Sequence, residues 1–337
     1  MPVFLCLFSY NILSFVEKKQ NICYNKDMEN KNQKGLFSLL GEPTIEKSSG
    51  LAYSLSACMP AFFSVAFLML LTLFKLMDEN VTQKDWYRYA SFLLMQLAIV
   101  ATVYTVLKYQ RKSVKTFCKE QKCSPKYLIV GLVLQIGLFS LSQLNTAFLK
   151  ILGEFGYESA PILLPSMDGF GFVGVFFVVA VLPAILEETL FRGVLFNGLK
   201  SFGEVGAVLI CGGLFSLYHQ NPAQTAYQFC CGAAYALVAL KSGSILPTVA
   251  AHLFNNGFVL VMTKINGGII PAPWNIVVTA VSAVCLVLSL VYLLFIDKKP
   301  RLEKPKDNTA RKNFFVFAAI GIIICAISWL GNLFTGL

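Results

Sequence analysis

Leu186-Glu187-Glu188-Thr189-Leu190-Phe191-Arg192 lies inside an otherwise apolar segment running from about Phe172 to Phe196. A segment of that length can cross the hydrocarbon core of a bilayer, which takes about 20 apolar residues. Ionised carboxylates at that depth cost about 2.5–3.5 kcal/mol each even on insertion scales. A segment that had only to pack would carry Leu or Ala there. A buried ion pair of Glu188 with Arg192 at i,i+4 accounts for one carboxylate and the guanidinium. It leaves Glu187, about 100° round the helix from Glu188, without a structural reason.

The composition around this stretch points to a membrane protein. The 337 residues are 56% apolar and only 14% charged, against about 25% charged in a soluble domain. Mean hydropathy is +0.65. The apolar runs are continuous rather than alternating, which excludes a closed barrel and leaves an all-α, polytopic transmembrane helix bundle. The net charge of +10 comes from Lys and Arg grouped between apolar runs, as the positive-inside rule requires. No nucleic-acid partner is expected; the partner is the lipid bilayer. Six of the ten cysteines (Cys58, Cys211, Cys230, Cys231, Cys285, Cys325) lie in apolar runs, where Cys serves as a small hydrophobe. Cys118 and Cys123 lie in a basic loop expected in the cytosol, so they are expected as thiols.

About eight to nine spans are expected, with candidates at about 52–75, 87–108, 127–149, 172–196, 204–220, 223–240, 245–263, 275–296 and 314–334. Residues 1–50 form an N-terminal segment, apolar but short for a span over 1–16 and polar from Glu29 to Lys34, with Met28 a candidate start. Residues 51–149 hold accessory helices, 150–263 the core with the polar residues, and 264–337 C-terminal helices. The basic stretches 108–126 and 298–312 both fall in the cytosol if six crossings separate them. The acidic connection 150–171 (Glu154, Glu158, Asp168) then falls outside and the N-terminus inside. That connection also carries Pro161, Pro165 and four glycines, which suits an irregular or re-entrant path. In the fourth span Pro183 removes a helix hydrogen bond and frees the carbonyl of Val179. In the sixth, Ala226, Cys230 and Ala234 form a small-residue stripe suited to close helix approach. A multi-pass protein of a bacterial plasma membrane is expected.

The chain has two histidines, His219 and His252, both in spans near the Glu-bearing one. Asn256 follows His252 by four residues and shares its helix face. Lone histidines in apolar helices are commonly packing residues, but intramembrane ionisable groups as a set face the bundle interior and pair. Ser216 precedes His219 by three residues and has no evident activating partner. Carboxylate and imidazole together suit activation of water, and a second His with an Asn can donate to an oxyanion. That set fits acyl-bond hydrolysis, most naturally of a peptide. Glu187, His219 and His252 could instead hold a divalent metal such as zinc with one open position. The spacing is not that of a soluble H-E-x-x-H protease, so both options stay open. A non-catalytic immunity or scaffold protein and a proton-coupled transporter are the alternatives. No repeat between the halves of the chain favours transport.

Glu187-Glu188-x-x-x-Arg192, Phe215-x-x-x-His219 and His252-x-x-x-Asn256 resemble the three motifs of the CPBP family. That family comprises type II CAAX prenyl endopeptidases and bacteriocin-processing or self-immunity membrane proteins. The turn Gly243-Ser244-Ile245-Leu246-Pro247 is similar too, and the resemblance spans about residues 170–262. It implies an intramembrane protease acting on a peptide or on a lipidated or membrane-anchored protein. It implies Glu187 and His219 as the water-activating pair, and His252 and Asn256 as the oxyanion site. Glu188 and Arg192 become a supporting pair that orients Glu187. The resemblance leaves metal dependence open. Straight helices over the spans above put Glu187 and His219 at different depths, so a bend at Pro183 or a shifted span boundary is expected.

Overall fold

The computed structural model describes residues 40–119, 122–298, 302 and 308–337. Residues 1–39, with the candidate start Met28, lie outside them. Among the described residues the architecture is all-helical. The long elements are α1 (Ile45–Leu73), α2 (Asp85–Tyr109), α4 (Pro125–Glu154), α5 (residues 171–199), α6 (Gly203–Tyr218), α7 (Thr225–Ser242), α8 (Leu246–Asn266), α9 (Trp274–Ile296) and α10 (Thr309–Gly336), with a short α3 (Val114–Lys119) before α4. Each expected span has a helix. Six helical segments are long and apolar enough to cross a membrane, one of them the 48-residue run Gly171–Tyr218 that holds α5 and α6. The chain is an integral multi-pass membrane protein.

Local chemistry sets the helix ends. Thr44 caps α1, accepting from the Lys47 amide at 3.2 Å, and Pro125 occupies the first turn of α4, where its missing N–H costs nothing. Gly243 terminates α7 in the left-handed region (φ 70°), which glycine adopts without steric cost. Ser244 Oγ accepts from the Leu246 amide, and Pro247 opens α8. This turn fixes where α8, and with it His252, begins. The segment after α4 is irregular from Tyr157 to Asp168, as its prolines and glycines suggest.

α5 is the buried centre. In its segment 61% of the most apolar window is buried, against 17–44% in the other candidate spans. α1, α2, α6 and α10 pack around its second half, with Phe191, Phe196, Phe215 and Phe314 in one core. α4, α7, α8 and α9 form a second core around Leu134, Tyr235 and Leu293. α6 and α7 approach closely at Gly212 and Gly232, where a Cβ on Gly232 would lie 2.9 Å from the Gly212 Cα. The stripe Ala226–Cys230–Ala234 is only half-buried; the close approach uses the adjacent face of α7. The buried Lys241 pairs with Glu204 at 3.2 Å and ties the end of α7 to the start of α6.

α5 is not a uniform α-helix. It has π-helical turns at Phe177–Val181, just before Pro183, and at Thr189–Leu195, just after the Glu pair. Extra residues in single π turns re-aim side chains at functional sites. The depth mismatch expected from straight spans is resolved at the inner end. α5 continues to Leu199 rather than stopping near Phe196. That narrows the difference in depth between Glu187 and His219, which follows directly on α6.

Among the described residues Cys58, Cys211, Cys230, Cys231, Cys285 and Cys325 form no disulfide.

Candidate active site

Glu188 is fully buried. Its Oε1 accepts from Arg192 Nη1 at 2.8 Å and lies 2.9 Å from His252 Nδ1. Arg192 is locked from three sides. Its Nη2 donates to the Gly232 carbonyl at 2.9 Å, and its guanidinium lies 4.4 Å from the Phe215 ring centroid and 5.3 Å from that of Tyr235. A guanidinium between aromatic faces is held by both dispersion and the ring quadrupoles. The i,i+4 ion pair is therefore present, but its second function is to hold His252. No hydrogen bond runs from it to Glu187.

Glu187 is half-buried and makes no hydrogen bond to the protein; its Oε2 is buried without a partner. A buried carboxylate oxygen with no donor is costly, so this atom is a place for a group the protein does not itself supply. His219 and Tyr218 lie within electrostatic reach of it. The Tyr218 hydroxyl is also buried without a partner.

His219 sits where α6 ends. Gln220 then takes φ 52°, and Asn221 caps the following turn by accepting from the Ala223 amide. His219 Nδ1 lies 2.8 Å from the Phe215 carbonyl. A carbonyl only accepts, so Nδ1 carries the proton and the neutral ring keeps its lone pair on Nε2. In His252 the carboxylate of Glu188 fixes Nδ1–H in the same way, so in both rings Nε2 is the nitrogen left for other chemistry. Phe215 packs between the rings, with centroids 4.7 Å from His219 and 6.1 Å from His252.

Asn256 takes up the carbonyl at the proline break. Its Nδ2 donates to the Val179 oxygen at 3.1 Å, and its Oδ1 accepts from Asn255 Nδ2 at 3.0 Å. Behind it lies a polar cluster that sequence patterning did not single out. Gln135 of α4 donates to Asn255 Oδ1 at 2.8 Å and to the Tyr227 hydroxyl at 3.3 Å, and Tyr227 donates to Asn255 Oδ1 at 3.0 Å. Tyr235 donates to Gln135 Oε1. Gln135 is fully buried. An amide at position 135, with only apolar residues and glycine from 128 to 139 around it, was the available signal.

Ser216 Oγ is spent on the Thr225 carbonyl at 2.8 Å, so it is not a free nucleophile. Among the described residues no three His, Cys, Asp or Glu side chains converge to hold a metal ion.

No curated protein and no solved structure matches the chain. Residues 169–258 match the family model described as type II CAAX prenyl endopeptidase Rce1-like. Glu187, Glu188, Arg192, His219, His252 and Asn256 all fall within the matched stretch. Through this segment, buried at the centre of the bundle, the chain is similar to the type II CAAX prenyl endopeptidases.

Proposed function

We propose that the protein is an intramembrane endopeptidase with Glu187 as the general base. One observation carries the reading: a half-buried carboxylate without a protein partner lies within electrostatic reach of a histidine whose Nδ1 is bonded to a carbonyl, leaving Nε2 for other chemistry. Glu187 accepts a proton from water while His219 Nε2 orients that water. The water oxygen bonds to the scissile carbonyl carbon, and the electron pair of the C=O bond moves to oxygen. His252, held by the bond from Nδ1 to Glu188, can donate to that oxyanion from Nε2 only when both ring nitrogens carry protons. Asn256 has a second Nδ2–H beyond the one given to Val179 and is the other donor. Collapse breaks the C–N bond, and the departing amine takes the proton held by Glu187.

The proposed substrate is a peptide or a lipidated or membrane-anchored protein, with bacteriocin leaders and membrane-anchored regulators as candidate classes. The proposed setting is a bacterial plasma membrane with the N-terminus cytoplasmic. The Lys/Arg-rich stretches 108–126 and 298–312 support that orientation.

The test is cleavage of a fluorogenic peptide library by purified protein in detergent. Wild type, Glu187→Ala and His219→Ala are compared with and without a zinc chelator. Loss of cleavage in both variants is the expected result; cleavage that survives in both removes these residues from the mechanism. The chelator arm decides metal dependence separately.

A further inference from the structure

The hydrogen bonds behind Asn256 have a direction, and one atom sets it. Val179 presents a carbonyl oxygen, which can only accept. Asn256 must therefore turn Nδ2 towards it, at 3.1 Å. That leaves Asn256 Oδ1 facing Asn255, which must present its own Nδ2, at 3.0 Å. Asn255 Oδ1 then faces Gln135, which must present Nε2, at 2.8 Å. Gln135 Oε1 is left to accept from the Tyr235 hydroxyl. Tyr227 closes the cluster, accepting from Gln135 Nε2 and donating to Asn255 Oδ1. Each amide could be flipped by itself in isolation. In the chain, flipping any one places oxygen against oxygen, and flipping either asparagine also places nitrogen against nitrogen.

We propose that Gln135 is a positioning residue, which acts through Asn255 to hold the Asn256 amide with its nitrogen towards Val179 and so keeps the second Nδ2–H available as a donor. Gln135 is on α4, outside the stretch matched by the family model. Its full burial and complete hydrogen bonding fit the role, since such a network gives one arrangement rather than several. The catalytic part of the proposal rests on the endopeptidase reading above; the polarity of the chain does not.

The test uses the full-length protein in detergent, labelled with nitrogen-15 at asparagine. The Asn256 side-chain amide pair is assigned by its disappearance in Asn256→Asp. In Gln135→Leu the pair is expected to shift and to exchange with deuterium about tenfold faster or more. Gln135→Met, closer in shape, serves if Gln135→Leu does not fold. Tyr235→Phe removes only the donor at the far end, so it leaves the Asn256 pair in place. An Asn256 pair unchanged when Gln135 is replaced overturns the proposal. Kinetics give the second readout: kcat falls about tenfold or more in the Gln135 variant with KM within about twofold. A kcat near wild type with only KM altered overturns the positioning role. If wild type cleaves no peptide, the endopeptidase reading fails, while the amide spectrum still decides the chain.

Discussion

Glu188 Oε1 lies 2.9 Å from His252 Nδ1 while Glu187 bonds to no protein group. Adjacent carboxylates on one helix thus have different duties. Glu188 Oε1 is held by a guanidinium and an imidazole; Glu187 is the carboxylate to which the proposed mechanism gives the role of base.

The two should separate in mutagenesis. Glu188→Ala leaves Arg192 charged and buried without its counter-ion, which costs about 3–5 kcal/mol. Thermal unfolding in detergent should show a large fall in Tm. Glu187→Gln removes a charge that no protein group satisfies, so its stability should stay within about 1 kcal/mol of wild type while cleavage is lost. A large Tm loss in Glu187→Gln would mean that the carboxylate is structural.

Arg192→Lys should not be silent. Lysine keeps the charge but loses the planar fork that bonds Glu188 and the Gly232 carbonyl together, and the stack on Phe215. Two charge-assisted bonds and a cation–π contact are at stake, so a loss of about 2–3 kcal/mol is expected in chemical denaturation. A Lys variant as stable as wild type would show that charge alone suffices.

His219→Ala is expected to lower kcat by about a hundredfold or more, the usual contribution of a positioned acid–base group. Its structural cost should be about 1 kcal/mol, since one hydrogen bond to the Phe215 carbonyl is lost. Single-turnover cleavage and Tm on the same preparations measure both.

Gly232→Val should destabilise by about 1–3 kcal/mol. Its new Cβ would press on the Gly212 Cα at 2.9 Å and on Phe215 at 3.0 Å, and overpacking is relieved only by moving the helices. Because the Gly232 carbonyl also holds Arg192, the variant should couple to Arg192→Lys in a double-mutant cycle. Strictly additive Tm losses would count against that link.

The helical, multi-pass architecture was legible in hydropathy. The residues of the candidate site were legible because Glu187, Glu188, His219 and His252 break apolar runs, where an ionisable group is expensive. Gln135 broke a run in the same way and was passed over, because an uncharged amide is a weaker signal. The Val179 carbonyl was visible as a consequence of Pro183. That Asn256 would serve it was not.

The sequence by itself determined which segments are helical, where proline interrupts α5 and which polar side chains lie at membrane depth. Each of these depends on residues close together in the chain and on the cost of burying them. Only the tertiary structure decided that Glu188 rather than Glu187 holds His252, that Gly212 and Gly232 set the approach of α6 to α7, and that Gln135 on α4 reaches Asn255 on α8. Those pairings depend on the rotation and depth of each helix against its neighbours. The π turns of α5 change that rotation for every residue beyond them, and hydropathy along a single chain carries no measure of it.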